Sequence, residues 1–407
     1  MILPPAMLGM LGGGQLGRYF VIAAQQLGYR VMVLDPDVNS TAGRIADLHI
    51  VAAYDDRGAL SRMGKGCAAI TTEFESVPAE TLAFLATFVP VQPSAEALAV
   101  CQERSAEKHF LKKHGLPHTP YAAICSESDV LKVSPDLLPG ILKVARFGYD
   151  GKGQIRVNDQ EAALAAFRQF KSEPCVLEKQ MALDYELSVV MTRGVSGEVK
   201  CFPVAENHHR HGILDHTIIA AQCAASELSV KATAIAEKIA VSMDYVGTLS
   251  VEFFVVAGQL YVNELAPRPH NSGHYTLDAC LTNQFEQQVR ALCGLPLGEV
   301  TAHSAAVMVN LLGDLWFANN PGYASEPDWE KLLIHPDLKL HLYGKHDARP
   351  GRKMGHFTVL GETLEKPYLT AMAARAAIGI SDCRDRAGFP CVETRAALVG
   401  SISAKFP

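Results

Sequence analysis

The chain has 407 residues, 48% of them apolar and 20% charged, and a formal net charge of −6. That length provides for two or three domains with large cores, and the charge balance excludes a basic nucleic-acid surface or an acidic tail. The 10 cysteines include no CxxC pair and point to reduced thiols in a cytosolic protein, and no uncharged apolar run is long enough to cross a membrane.

The first third alternates strand and helix patterns. Ala6–Leu11 reads as a strand, followed by a Gly-rich turn and a helix over about Gln15–Leu27. Arg30–Asp35, His49–Ala52 and Ala68–Thr72 read as further strands, the last running into Glu73-Phe74-Glu75. Such alternation implies a parallel, doubly wound α/β sheet. A charged helix over Cys101–His114, closed by Gly115 and Pro117, ends this unit. A smaller unit follows: strand Ile141–Val144, glycine loop Gly148–Gly153, strand Gln154–Val157, helix Glu161–Phe170 and strand Cys175–Lys179. A β-rich stretch begins at Glu186–Thr192 and takes in Lys200–Ala205, a helix near Ser229–Met243, a hairpin over Thr248–Glu264 and a helix near Gln284–Cys293. The segment after about Glu362 carries weak signals and no assigned role.

Gly12-Gly13-Gly14-Gln15-Leu16-Gly17 fits GxGxxG between a strand and a helix, with Asp35 at the end of the next strand. This is the pattern of a dinucleotide-binding oxidoreductase. Its physical content is narrower: glycines admit a ligand to the backbone, and a helix N-terminus offers N–H groups to an anion. A phosphoribosyl group could use the same features, and so could a bare tight turn.

The second loop, Phe147-Gly148-Tyr149-Asp150-Gly151-Lys152-Gly153-Gln154, is not a Walker A loop. Glycines flanking a lysine suit a hairpin that closes over phosphates; a solvated edge turn is the plainer reading. Lys143, between Leu142 and Val144 on the preceding strand, calls for an anionic partner, since an unpaired buried charge is costly.

With Ala257-Gly258-Gln259 as a three-residue turn, Val256 pairs with Leu260, and Glu252 lies opposite Glu264 on one face, with Cβ atoms roughly 5 Å apart. Opposed carboxylates need a proton or a bridging cation, and hard oxygen ligands select magnesium, or manganese. A register shifted by one residue would send them to opposite faces. Pro267 and Pro269 then hold Arg268 and His270 extended beside this pair. A further cationic cluster, Tyr343-Gly344-Lys345 with Arg349, Arg352, Lys353 and His356, is either a phosphate site or a solvated basic loop. His208-His209-Arg210-His211 has no cysteine nearby to complete a zinc site and reads as a polar binding loop.

Taken together and in this order, these elements resemble the ATP-grasp superfamily and, within it, the 5-(carboxyamino)imidazole ribonucleotide synthases. The matching residues are Gly12–Gly17, Thr72–Glu75, Arg104 with Glu107-Lys108, Phe147–Gln154, Glu178-Lys179, Glu206-Asn207 with His209 and Gly212–Leu214, Asn263-Glu264, Pro267–His274, Tyr343–Lys345 and Arg352–His356. The resemblance implies three domains: an N-terminal doubly wound parallel sheet (1–103), a small lid domain (104–183) and a larger α+β C-terminal domain with the metal site and tail (184–407). It implies ATP-dependent carboxylation of 5-aminoimidazole ribonucleotide by bicarbonate through carboxyphosphate. It implies further that the enzyme is a homodimer, acts in the cytoplasm and passes its product to a separate mutase, with no nucleic-acid or membrane partner.

By the same resemblance, Arg104 and Lys143 contact ATP phosphates, and Gly148, Tyr149, Asp150, Gly151, Lys152, Gly153 and Gln154 form the lid loop. Glu178, Lys179, Gln180 and Met181 line the adenine, Glu186 holds the ribose, and His209 and Asn263 complete the pocket. Glu252 and Glu264 hold magnesium. Gln15, Leu16, Glu75, Asn271, Lys345, Arg352 and Lys353 bind the ribonucleotide. Tyr149 can pack on the flat imidazole and Asp150 can accept from its amine. Arg268 supports phosphoryl transfer, and His270 and Lys345 steer the intermediate and handle protons. The rival readings are a formate-dependent glycinamide ribonucleotide formylase, a biotin-dependent carboxylase, an NAD(P)-dependent oxidoreductase and a nucleotide-sensing module without turnover.

Overall fold

A computed structural model describes residues 1–146, 148, 153–220, 226–318, 320 and 322–380. The N-terminal sheet comprises β1 (Met7–Leu11), β2 (Arg30–Leu34), β3 (Leu48–Ile50) and β4 (Ala69–Thr72) in the order β3-β2-β1-β4, every pair parallel. Leu8, Met10, Leu11, Val31, Val33 and Ile70 are buried, as unbroken apolar runs covered on both faces should be. Helix α1 (Gln15–Gln26) lays Tyr19, Phe20 and Val21 against Phe285, Val289 and Leu292 of the Gln284–Cys293 helix, so the first and last domains share one core.

The second sheet is antiparallel: β5 (Tyr121–Ile124), β6 (Gly140–Val144), β7 (Gln154–Val157) and β8 (Cys175–Lys179), in the order β5-β8-β6-β7. The large sheet comprises β9 (Tyr185–Arg193), β10 (Val199–Cys201), β11 (Ala205–Arg210), β12 (Ile213–Ile219), β13 (Gly247–Val256), β14 (Gln259–Ala266), β15 (Ala305–Leu312), β16 (Leu338–Leu342) and β17 (Lys353–Gly361). Its order is β14-β13-β9-β11-β12-β15-β17-β16, with β10 added on β9.

The structure corrects the expected charged helix over Cys101–His114. Glu103, at φ −133 and ψ 118, breaks it into Ala95–Gln102 and Arg104–Lys113, and the freed N–H of Arg104 donates to the Ala145 carbonyl, just after β6, at 2.9 Å. Phe110 and Leu111 of the second helix pack with Val251, Phe253 and Val262 of the large sheet. The His208–His211 tract is also corrected. It is the end of β11, which pairs with β12 across a tight turn where His211 and Gly212 take positive φ (54 and 79). The weak-signal segment after Glu362 contains the Glu365–Ala377 helix, whose Ala371 and Ala374 close the core over β15 and β17.

The β13–β14 hairpin has a different turn from the one expected. Ala257 and Gly258, at φ 49 and 73, form a two-residue turn of the mirror-image type that suits twisted strands, and Val256 pairs with Gln259. A bulge then follows: Phe253 pairs with Val262 but Glu252 with Glu264, leaving Asn263 as the extra residue. The shorter turn displaces the register by one residue and the bulge restores it, so the two glutamates still face each other.

All the described cysteines are free thiols, and among the described residues no helix is long and apolar enough to cross a membrane.

Candidate functional site

Buried charge joins the small β5–β8 sheet to the large sheet. Lys143 on β6 meets Glu178 of β8 at 2.9 Å, and Lys108 approaches the other Glu178 oxygen at 3.7 Å. Burial alone would raise the Glu178 carboxyl, but the Lys108 and Lys143 ammoniums outweigh it and hold it down at about 2. The anionic partner that Lys143 requires is therefore within the chain. Lys179 and Gln180 are exposed and Met181 is half-buried along the segment that leaves β8. Gly148 is half-buried and its carbonyl lies 3.4 Å from the Arg104 guanidinium, while Gln154 pairs with Lys143 across β6 and β7. Tyr149, Asp150, Gly151 and Lys152 lie outside the described residues.

Glu252 and Glu264 form the centre of the site. Glu264 is open, with 43% of its side chain exposed, and Arg104 lies 3.5 Å from it; Glu252 is deeper at 17%. Burial, reinforced by the charges of Glu264 and Glu186, pushes the Glu252 carboxyl up to about 7 against the pull of His209 and Lys353. A second carboxylate forced beside a desolvated first is the donor set that a hard divalent cation relieves, so the residues present fit magnesium. Asn263 Nδ2 reaches Glu252 at 3.4 Å, and His209 of β11 meets Glu186 of β9 at 3.0 Å, so these three of the expected nucleotide residues gather near Glu252.

His270 approaches Glu252 at 3.6 Å through Nε2 and bonds Ser272 Oγ at 2.9 Å through Nδ1. Burial, then the charges of Arg268 and Lys353, hold this imidazole well below its usual range, so it is neutral near pH 7. Arg268 donates to Glu75 at 2.6 Å, tying the large domain to the loop after β4. Burial would raise the Glu75 carboxyl, but Arg268 keeps it below the ordinary range. Two expected functional residues are thus partners of each other. Asn271 is 6% exposed, and both polar atoms of its amide lack a hydrogen-bond partner among the described residues. A buried amide left open in this way is a ready contact for a bound molecule.

The first glycine loop departs most from the sequence reading. Its amides are taken by the chain's own carboxylates: Glu73 accepts from Gly14 and Gly17 at 2.5 and 2.6 Å, and Asp35 accepts from Gly13 at 2.7 Å. Glu73 is itself pushed up by burial. An NAD pyrophosphate at this helix start would have to displace these carboxylates, and the dinucleotide reading fails there. Gln15 is half-buried, and Leu16 turns its side chain into the core. The loop borders a cavity of about 390 Å³ that is also lined by Lys345, His346, Asp347, Arg349 and Arg352. Lys345 donates to the Lys353 carbonyl at 2.6 Å, and Arg352 to that of Asp347 at 2.6 Å. Thr41 and Arg44 bond the carbonyls of Tyr343 and Gly344, so the N-terminal domain holds the segment that presents Lys345.

Sequence reasoning missed Glu73 and gave Glu107 and Lys108 no role. No local signal marks Glu73: only once Leu11 pairs with Thr72 do the residues after the two strands, Gly12 and Glu73, emerge side by side at the C-terminal edge of a parallel sheet, where ligands bind. Among the described residues, Asp278, His341 and His356 also bring ligand atoms within 4.8 Å of one another. His341 already bonds Asp278 at 2.8 Å, and its ring stacks on His356 at 4.5 Å and 13°. Parallel rings do not aim their lone pairs at one point, so this group serves packing. His208 likewise bonds Glu206 at 2.9 Å and stacks on His216.

Three family models match in succession: a ribonucleotide synthetase preATP-grasp domain over residues 6–102, an ATP-grasp domain over 109–285, and a phosphoribosylaminoimidazole carboxylase C-terminal domain over 306–367. The N5-carboxyaminoimidazole ribonucleotide synthase of Bacillus subtilis (strain 168) is 41% identical over 88% of this chain and 92% of its own length, and that of Brucella melitensis is 42% identical over 87% and 96%. A crystal structure of an N5-carboxyaminoimidazole ribonucleotide synthetase with ADP superposes with a TM-score of 0.84 at 40% identity, covering 92% of this chain and 97% of the other. The Aspergillus clavatus synthase in complex with ADP and 5-aminoimidazole ribonucleotide superposes with a TM-score of 0.83 at 30% identity, covering 92% and 99%. The chain belongs to the N5-carboxyaminoimidazole ribonucleotide synthase family of ATP-grasp ligases.

Proposed function

We propose that this chain, an ATP-dependent ligase of purine biosynthesis, carboxylates the amine of 5-aminoimidazole ribonucleotide with bicarbonate, releasing ADP and phosphate. The observation that carries the reading is a series of ion pairs and hydrogen bonds lying between the paired glutamates and the cationic cluster. Arg104 meets Glu264, His270 meets Glu252, Arg268 meets Glu75, and Lys345 meets Lys353, whose charge is felt at both Glu75 and Glu252. A phosphoryl group beside the carboxylates and a ribonucleotide beside the cations would therefore share one reaction space.

In this reading a bicarbonate oxygen attacks the γ-phosphorus, ADP departs, and the amine attacks the carbon of the resulting carboxyphosphate. Phosphate then leaves and the amine loses a proton. Phosphoryl transfer of this kind needs in-line positioning and charge neutralisation rather than a protein nucleophile. Lys143 and Arg104 would face the phosphates, and magnesium held by Glu252 and Glu264 would neutralise the charge that develops there. Neutral His270, whose Nδ1 accepts from the Ser272 N–H at 3.3 Å, carries its proton on Nε2 and can donate a hydrogen bond there, Asn271 offers its buried amide to the ribonucleotide, and Lys345 and Arg352 provide for its phosphate. Tyr149 and Asp150 are assigned to the imidazole and its amine, and Gly148–Gln154 to excluding water from a labile intermediate. Lys179 to Met181, Glu186, His209 and Asn263 are assigned to the adenine and ribose. The three-domain division, a homodimer, a cytoplasmic location and transfer of the product to a separate mutase complete the proposal.

The test is isotopic. Labelled bicarbonate should enter a product that loses its label on acidification, as a carbamate does, with ADP release dependent on aminoimidazole ribonucleotide. Rapid ADP release with formate and glycinamide ribonucleotide, and no label in the product, would assign the chain to formylation instead.

A further inference from the structure

The bulge that brings Glu264 opposite Glu252 is gripped from outside by two buried charged side chains. β14 is an edge strand of the large sheet, with β13 on one side and the Arg104–Lys113 helix on the other. In a regular antiparallel strand the N–H and C=O of one residue point to the same edge, and those of the next residue to the opposite edge. Val262 faces outward, because its N–H donates to the Pro117 carbonyl at 2.9 Å. Regular alternation would then turn Asn263 and Leu265 inward, toward β13. Instead, the Leu265 N–H points outward and donates to Glu107 Oε2 at 2.9 Å. The Asn263 carbonyl also points outward and accepts from Lys108 Nζ at 3.0 Å, with the Val262 carbonyl at 3.4 Å from the same ammonium. These groups share one edge only if Asn263 is the extra residue of the bulge.

We infer that Glu107 and Lys108 are positioning residues that lock β14 in its bulged register and so hold Glu264 in place against Glu252; the functional consequence rests on the reading of that pair as the magnesium site. The two are 2% and 1% exposed; burial pushes the Glu107 carboxyl up to about 7, and an ammonium as buried as that of Lys108 persists only where several partners compensate it. Lys108 finds its partners in two carbonyls that a regular strand would point apart, together with Glu178. Without the lock, a one-residue slip removes the bulge and sends Glu264 to the face opposite Glu252. Arg104, one helical turn before Lys108, reaches the Glu264 carboxylate itself, so a single helix sets both the backbone register and the side chain of one ligand.

The experiment combines amide exchange on the wild-type protein with Mn²⁺ binding, followed by electron paramagnetic resonance in the presence of ADP. In wild type, the Leu265 amide should exchange as slowly as the amides paired between β13 and β14. Lys108→Met and Glu107→Leu should each raise the Mn²⁺ dissociation constant by about 10- to 100-fold, the usual scale for supports of metal ligands. Lys108→Arg should recover part of that loss, and the Michaelis constant for the ribonucleotide should change less than about 2-fold. Glu264→Gln serves as the reference for loss of a ligand. Fast exchange at Leu265 in wild type overturns the lock whether or not the variants fold. So does wild-type Mn²⁺ affinity in a folded Lys108→Met protein when Glu264→Gln has lost it. If Glu264→Gln also binds Mn²⁺ as wild type does, the metal assignment fails instead, and amide exchange alone decides the register lock.

Discussion

Replacing Glu178 by Gln should destabilise the protein by an amount set by the field of two lysines. The carboxyl is 2% exposed, 2.9 Å from Lys143 and 3.7 Å from Lys108. It drops from an ordinary 4.5 to about 2, which at about 1.4 kcal/mol per pH unit corresponds to about 3 kcal/mol of stability. A lowered carboxyl contributes that stability in full above its unfolded value, near 4.5, and loses it as the pH falls through its folded value, near 2. The glutamine variant also leaves two buried ammoniums facing a neutral amide, the situation in which breaking a buried pair costs most. Urea unfolding at pH 7.5, with midpoints converted through the wild-type slope, should therefore show a loss of about 3 kcal/mol. The gap between wild type and variant should stay nearly constant down to about pH 5 and narrow below that. A variant as stable as wild type at pH 7.5, or a gap that widens on acidification, would refute this account of the charge cluster.

Glu252→Gln and Glu264→Gln should each nearly abolish turnover with no loss of fold, since each removes a ligand charge and also relieves carboxylate repulsion; wild-type activity of both at low magnesium would contradict the site. Lys345→Ala and Arg352→Ala should raise the Michaelis constant for the ribonucleotide well above any change for ATP, by about 10-fold or more for loss of a charge-assisted contact, and equal effects on both substrates would argue against the cavity as the ribonucleotide site. Asp150→Ala should impair coupled carboxylation more than basal ADP release, read as the ratio of labelled product to ADP; a ratio equal to that of wild type would remove Asp150 from amine recognition.

How far the sequence could be read depended on the range of each interaction. The parallel N-terminal sheet, the strands of the second sheet and the paired glutamates were legible because apolar periodicity and turn residues act locally. The hairpin shows how fragile this is. A three-residue turn with no bulge predicts the same Glu252–Glu264 pairing as the two-residue turn and bulge that the structure contains, so two local errors cancel. The break at Glu103 left no clear local mark, because Cys101–His114 is uniformly compatible with one helix. The histidine tract was read as a loop because its strand character comes from pairing with β12. The Glu75–Arg268 contact spans 193 residues, and the filling of the glycine loop by Glu73 and Asp35 depends on three chain segments meeting. Neither could be inferred from spacing.

That filled loop has a consequence for how a substrate must enter. The N-terminal side of the cavity presents Asp35, Asp37 and Glu73, and the C-terminal side presents Lys345, Arg349 and Arg352 against one carboxylate, Asp347, which lies 3.7 Å from Arg349. The cavity is therefore a fixed dipole, and a molecule with an anionic phosphate at one end and hydrogen-bond donors at the other has one favourable orientation in it and one strongly disfavoured. A free phosphate gains only the cationic half, and a dinucleotide would bring a second phosphate against the carboxylates. Under the proposed function the chamber would act as a compass for monophosphates, selecting by which way a ligand points before any base or amine is read.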